Sequence, residues 1–311
     1  MNYIFSDIKN FKNFKTIKKL NSGYSKDEKY HIITNTNENL LLRISDIKLY
    51  EQKIKEFKFI KQLNKLNFEM SKAIEIGKCN NGKNVYMLLT WLDGESLDKA
   101  ITYFNESTQY ELGVEAGKIL FSIHNQKYNI TKNEDIKDKI IQNIINKLNI
   151  YIDNKDIRVK NDIQVINFIN NNMFEILNLP PTYIHGDFHL GNLVYTKNNK
   201  IGVIDFNRVK ISDRFEEFYK NDLFNVPKSI PFSCGFIDGY FNYSIPDYFW
   251  KINSIYVAFS SMNTIRWSIK FGKDHVGKMK KRCIDIFKEY NYFKEYIPKW
   301  YKDFKNDKNK I

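Results

Sequence analysis

The stretch His185-Gly186-Asp187-Phe188-His189-Leu190-Gly191-Asn192, followed thirteen residues on by Ile204-Asp205-Phe206, decides how this 311-residue chain is read. An Asp precedes an Asn by five positions, and a second Asp ends an apolar strand. That set suits phosphoryl transfer to an alcohol. One carboxylate must sit near the acceptor hydroxyl and take or orient its proton. A second carboxylate and an amide oxygen must hold Mg²⁺ on nucleotide phosphates, because a hard cation takes oxygen ligands, which Asn and Asp supply. His185 and His189 stand four apart, but zinc at that spacing needs a helix, and Gly186 and Gly191 argue for a loop. Both are read as holding the loop by hydrogen bonds.

Upstream, the chain alternates short strands with one helix. Phe14 to Leu20 is a candidate strand and Asn21 to Ser25 a turn. Lys29 to Thr34 and Leu40 to Ile44 form a hairpin around Asn35 to Asn39. Tyr50, Ile54, Phe57 and Ile60 recur at helical spacing. Strands near Ala73 to Ile76 and Val85 to Thr90 flank the turn Asn80-Asn81-Gly82. After Asp93-Gly94 the stripes become helical: Tyr110, Val114, Gly117, Phe121 and His124; then Ile140, Ile141, Ile144, Ile145 and Leu148; then Ile163, Ile166, Met173 and Leu177. Pro180-Pro181 stops them, a β segment runs from Tyr183 to Asp205, and the rest is helical. His124, at the end of an apolar face, reads as a satisfied core histidine.

The residues from His185 to Asn192, with Asp205-Phe206, resemble the catalytic and metal-binding loops of the protein-kinase-like fold. Their His-Gly-Asp form resembles the aminoglycoside phosphotransferase family, where protein kinases usually carry His-Arg-Asp. The resemblance covers nearly the whole chain. It implies an α+β bilobal fold: an N-lobe, 1–92, of antiparallel sheet plus one helix, and a larger, mostly helical C-lobe, 93–311, with the active site between them. It implies that Asp187 is the catalytic base and that Asn192 and Asp205 bind Mg²⁺. Arg43 takes the strand position where kinases usually have Lys, with Glu56 as its partner and Glu51 as the rival. Arg is a planar fork and not a point charge, so the phosphate contact changes in detail. The phosphate loop, 21–26, holds one glycine, and Ser22, Gly23 and Ser25 are its candidate donors. Leu89 would line the base pocket, and main-chain groups near Thr90 and Leu92 would meet the purine edge. Asn207 replaces the usual glycine after the metal Asp, and Asn tolerates left-handed backbone.

The implied reaction moves the γ-phosphate of ATP or GTP to a hydroxyl of an aminoglycoside-like antibiotic, with a role in antibiotic resistance. The rivals are a kinase of a metabolite alcohol (amino sugar, sugar or choline-like) and a catalytically silent binding module. A cationic acceptor needs carboxylates, and the candidates are Asp213, Glu216, Glu217 and Asp238. In the family, however, the Asp that Asp213 resembles is largely structural. Phe236, Tyr240, Phe241, Trp250, Tyr256 and Trp267 read as core.

Composition bounds the rest. Lys plus Arg is 49 against 36 Asp plus Glu, a formal charge of +13, with 42% hydrophobic and 27% charged residues. This length supports about two domains. The excess charge is spread along the chain. Its densest cluster, Lys278, Lys280, Lys281 and Arg282, reads as a solvated helix face and not as a nucleic-acid site. A cationic substrate would therefore require an acidic cleft set into a basic surface. Three scattered cysteines, Cys79, Cys234 and Cys283, support neither a disulfide framework nor a zinc site. With no apolar run long enough to cross a membrane and no apolar core near the N-terminus, the expectation is a cytoplasmic monomer that binds neither nucleic acid nor membrane.

Overall fold

The structure is a computed structural model that describes residues 4–20, 27–126 and 133–308. Its elements run β1 Phe14–Leu20, β2 Glu28–Thr34, β3 Asn39–Asp46, α1 Tyr50–Leu63, β4 Glu69–Met70, β5 Ala73–Cys79, β6 Asn84–Thr90 and β7 Gly94–Ser96. Then come α2 Leu97–Ala100, α3 Glu106–His124, α4 Asn133–Asp153, α5 Asp162–Asn172, β8 Thr182–Ile184, β9 Leu193–Thr196, β10 Ile201–Val203 and β11 Lys210–Ser212. The last helices are α6 Ile230–Tyr240, α7 Asp247–Ser268, α8 Lys273–Glu289 and α9 Lys299–Lys308. No helix among the described residues is long and apolar enough to cross a membrane.

The chain divides into two compact units, 1–95 with 193–207, and 96–192 with 208–311. The first boundary lies three residues beyond the expected one at 92. The segment 193–207, which carries Asp205, packs with the first unit although it follows the loop His185–Asn192 in sequence.

In the first unit an antiparallel sheet runs in the order β1-β2-β3-β6-β5. Register decides its two faces, because directly opposed residues of antiparallel strands point the same way. Tyr30, Leu42 and Leu88 lie in one row and Ile32 and Leu40 in another. This face packs on Phe5 and Ile8, with Ile44, Cys79 and Tyr86 completing the core. Each such side chain contributes on the order of 1.5–3 kcal/mol on burial. The opposite face carries the rows Lys29–Arg43–Met87 and His31–Leu41–Leu89. Asp7 ties the N-terminal segment down by accepting the amides of Asn80 and Asn81, both at 2.9 Å. That turn holds Asn80, Asn81 and Gly82 at positive φ, as its sequence anticipates. Strands β4, β10 and β9 pair beside one another, β4 parallel to β10.

Helix α1 departs from its apolar stripe in an informative way. Its buried side is Lys53, Glu56, Phe59, Ile60 and Leu63, so two charged residues occupy core-facing positions. The expected stripe members Tyr50, Ile54 and Phe57 are only half-buried.

In the second unit α3 and α6 meet backbone to backbone. A Cβ on Gly117 would stand 2.2 Å from the Phe236 carbonyl oxygen, and one on Gly235 would stand 2.1 Å from that of Tyr110. The aromatics Phe215, Phe218, Phe236, Tyr240, Phe241 and Phe249 interlock in edge and tilted contacts around this pair. The expected core aromatics are accordingly buried or half-buried, except Trp267 at 40% exposure. On α5 the stripe is also shifted: Ile163 is 66% exposed, while Asp162 is buried and held by Arg158 at 2.5 and 2.7 Å and by the Tyr151 hydroxyl at 2.9 Å.

Candidate active site

Strand β8 pairs with β11 (Ile184 opposite Lys210) and delivers the chain into the loop at His185. Gly186 has φ of 77°, and a Cβ there would lie 2.2 Å from the Arg208 carbonyl oxygen, so a side chain is excluded on both counts. Glu217 then clamps the loop from below. Its two oxygens accept the amides of Gly186 (2.9 Å) and Phe188 (3.0 Å). Asn225 accepts the amide of Leu190 at 2.9 Å. His185 Nδ1 accepts the Asp187 amide (3.2 Å) and His189 Nδ1 accepts that of Gly191 (3.1 Å), so both histidines hold the loop. Burial lowers the His189 pKa to about 4 against the pull of Asp187, so this ring is neutral at pH 7.

Asp187 is brought against four partners. Its Oδ1 lies 2.6 Å from Lys220 Nζ, 3.3 Å from Arg208 Nη1 and 3.6 Å from His189 Nε2. Asn192 Nδ2 donates to the Asp187 carbonyl at 2.8 Å and to Oδ2 at 3.1 Å. The structure thus joins Asp187 and Asn192, and the Asn192 amide oxygen accepts none of these bonds. Burial works to raise the Asp187 carboxyl, but Lys220, His189 and Arg208 outweigh it and leave the group below its usual range. Lys220 also donates to the Gly186 carbonyl at 2.6 Å, and its side chain is 3% exposed. Sequence reasoning missed Lys220, which comes from 33 residues downstream.

In the first unit Arg43 and Glu56 pair as expected, Nη1 to Oε1 at 2.6 Å, and Glu51 is exposed. Two unforeseen groups close a buried square. Asp27 accepts from Arg43 Nε (3.1 Å) and Nη2, from Ser45 Oγ (2.8 Å) and from Lys53 Nζ (2.6 Å). Lys53 Nζ also meets Glu56 Oε2 at 3.0 Å. Lys53 stands one helical turn before Glu56, which is the only signal the sequence offered. Ser22, Gly23 and Ser25 lie outside the described residues. Leu89 is buried in the sheet. The amides of Thr90 and Trp91 are committed to the carbonyls of Lys72 (2.9 Å) and Asn39 (3.1 Å). Leu92 packs over Gly202.

Asp205 sits in the first unit with φ of 65°, a left-handed conformation unusual for a non-glycine residue. The left-handed residue of this turn is therefore Asp205 and not Asn207. Asp205 Oδ2 lies 3.3 Å from Lys29 Nζ, while its Oδ1 is buried with no hydrogen-bond partner. Asn207 Oδ1 is likewise buried and unpartnered. Two orphaned oxygens on one turn fit a hard divalent cation.

The four carboxylates expected to meet a cationic acceptor are each engaged by the protein's own groups, with only Asp213 Oδ2 buried and without a hydrogen-bond partner. Asp213 is buried and accepts the Phe215 amide at 2.6 Å, capping the turn Arg214–Phe218. Glu216 is held by Lys210 (2.5 Å) and Ser212, and Glu217 by the loop amides. Asp238 is buried and accepts from Tyr110 (2.5 Å), Tyr301 (2.7 Å) and Lys305 (2.5 Å). His124 is a core residue, its Nδ1 2.9 Å from the Tyr240 hydroxyl.

Burial pushes the Asp213 carboxyl up to about 7 from 3.8. A group whose folded pKa is raised stabilises fully below its unfolded pKa, and that contribution is lost as pH rises through the folded value. Replacing Asp213 with Asn keeps the capping oxygen and removes the titration. Relative to the parent, the variant should therefore gain stability between pH 4 and 7, by an amount on the order of a few kcal/mol. Urea melts at pH 4.5, 6 and 8 measure this, and a constant difference across them would contradict it.

Residues 16–249 match the phosphotransferase enzyme family APH, and the chain belongs to that family. Among curated proteins no sequence matches it. The fold is that of solved antibiotic kinases. One is the GDP complex of aminoglycoside 2'-phosphotransferase-IIIa, with 13% identity over 91% of this chain and 96% of that one, and a TM-score of 0.65. A second is the gentamicin complex of APH(2")-IIa, with 15% identity over 87% and 91% and a TM-score of 0.60. A third is the amicoumacin kinase hAmiN with AMP-PNP, Ca²⁺ and Ami, with 13% identity over 91% and 90% and a TM-score of 0.61. The protein is a phosphotransferase of the kind that acts on hydroxyl groups, with a kinase-like α+β fold.

Proposed function

We propose that this protein transfers the terminal phosphoryl group of ATP or GTP to a hydroxyl of a small molecule, with Asp187 orienting that hydroxyl. The observation that carries the reading is the Asp187 carboxylate itself. It is half-buried, kept ionised by Lys220 and Arg208, and fixed on a loop whose amides are clamped by Glu217. Its Oδ1 takes both cations, which leaves Oδ2, touched by Asn192, to receive the hydroxyl. A carboxylate this acidic is a weak base, and it accepts the proton late. That suits a loose phosphoryl-transfer transition state, in which positioning and charge stabilisation matter more than early deprotonation.

Asn192 and Asp205 would hold Mg²⁺, with Asn207 as a further oxygen donor. When bound, the ion neutralises charge on the terminal phosphates. The first unit would hold the nucleotide. With the Thr90 and Trp91 amides taken, the purine edge falls to carbonyls and to residues from Leu92 onward.

The acceptor follows from charge. Since the expected carboxylates are engaged elsewhere, they offer a polycationic aminoglycoside little to pair with. Arg282 offers the opposite chemistry. Its Nε and Nη2 are buried without a partner, and its guanidinium lies over Phe224, whose ring lies 5.0 Å from that of His189. This supports a metabolite alcohol that is neutral or bears an anionic group, with an aminoglycoside-like antibiotic as the rival. A coupled nucleotide-consumption screen with ATP and GTP tests it across aminoglycosides, macrolides, amino alcohols, sugars and hydroxy acids. Stimulation by aminoglycosides alone would reverse the acceptor assignment. Absence of any Mg²⁺-dependent turnover, even to water, would sink the enzymatic reading.

A further inference from the structure

The resemblance assigns the phosphate-binding cation to Arg43, yet that guanidinium is already engaged on both sides. Nε and Nη2 bind Asp27, Nη1 binds Glu56, and the side chain is 4% exposed. The square it belongs to, Arg43 and Lys53 with Asp27 and Glu56, sums to zero formal charge. A nucleotide triphosphate gains little from a neutral cluster, and freeing Arg43 to reach it would strand Asp27 and Glu56 in a buried setting.

Lys29 stands directly opposite Arg43 across β2 and β3, so both project from the same sheet face. It lies outside the square. Its ammonium is 3.3 Å from Asp205 Oδ2, and its side chain is 16% exposed. In sequence it follows the expected phosphate loop, 21–26, by three residues. The Lys29–Asp205 contact puts a single positive charge on the carboxylate expected to hold the divalent ion.

We propose that Lys29, and not Arg43, is the cation of the first unit that binds the nucleotide's phosphates. On this assignment Arg43 is a positioning residue that joins β3 to α1. Asp205 would be among the residues that hold the metal ion, and Lys29, 3.3 Å from its Oδ2, is placed to turn to phosphate oxygens held beside it. A flexible ammonium with three donors can make that turn, whereas a bidentate guanidinium fixed by two carboxylates cannot. The inference rests on the phosphotransferase reading above.

Calorimetric titration with Mg²⁺–ATP, Mg²⁺–GTP and the matching phosphate-free nucleosides tests it on the full chain. Lys29→Ala should weaken triphosphate binding on the order of tenfold to a hundredfold and leave nucleoside binding and the thermal midpoint unchanged. Lys29→Arg should recover much of the loss. Unchanged triphosphate affinity in Lys29→Ala, with the parent protein binding normally, would overturn this assignment alone. Equal losses for nucleoside and triphosphate would also overturn it, since the effect would then be structural. If the parent protein binds neither nucleotide, the phosphotransferase reading falls and takes this assignment with it.

Discussion

Replacing Asp187 with Asn should lower the rate of phosphoryl transfer by about 10²–10⁴-fold while nucleotide affinity and folding change little. The substitution is nearly isosteric. The amide oxygen can still accept from Lys220, which in the parent lies 2.6 Å from Oδ1. What disappears is the negative charge and the lone pair on Oδ2 that would meet the acceptor hydroxyl. Single-turnover measurements with saturating nucleotide isolate this step from binding. A rate within a few-fold of the parent would remove Asp187 from the chemistry. Because the Asp187 carboxyl titrates below the usual carboxylate range, its protonation should not limit the parent's activity above about pH 4.

Arg43→Ala should be the most damaging change in the first unit, at about 3–5 kcal/mol of stability. It leaves Asp27 and Glu56, both buried, with Lys53 as their remaining cation from the square. An unpaired buried carboxylate costs far more than the pair it came from contributes. Arg43→Lys keeps the charge but cannot span Asp27 and Glu56 with a planar fork, so an intermediate loss is expected. Chemical denaturation followed by circular dichroism measures both. A loss below about 1 kcal/mol for Arg43→Ala would mean that the square carries little stability. The contrast with Lys29→Ala, which should spare stability, separates the structural cation from the binding one.

How far the sequence could be read is clear from particular residues. The strands of the first unit were legible because their apolar residues alternate and their turns carry Asn and Gly, as at Asn80-Asn81-Gly82. The helices of the second unit were legible from stripes such as Val114, Gly117 and His124. The stripes failed where charge replaced hydrocarbon. On α1 the buried positions are Lys53 and Glu56, and on α5 the buried one is Asp162. A periodicity rule assigns such residues to water. They are inside because opposite charges meet them there: Arg43 and Asp27 reach α1 from other segments, and Arg158 meets Asp162 from one turn away.

The same division runs through the site. Asp187, Asn192 and Asp205 could be proposed from sequence because they match a family motif whose side chains stand at short, fixed spacings along the chain. Glu216, Glu217, Asp213 and Asp238 were proposed for a cationic acceptor because an acidic residue looks available until its neighbours are known. In the fold Asp213 caps a turn, Glu216 is held by Lys210 and Ser212, Glu217 clamps the Gly186–Phe188 amides and Asp238 is buried among Tyr110, Tyr301 and Lys305. Sequence by itself determined the family, the lobed α+β architecture and the chemical groups required. Only the tertiary structure decided which charges are spent on holding the molecule together and which are left to act. Lys220 on Asp187, Asp27 on Arg43 and Lys29 on Asp205 are contacts across 33, 16 and 176 residues. Burial and ion pairing at such separations depend on how the whole chain packs, and no local pattern encodes them.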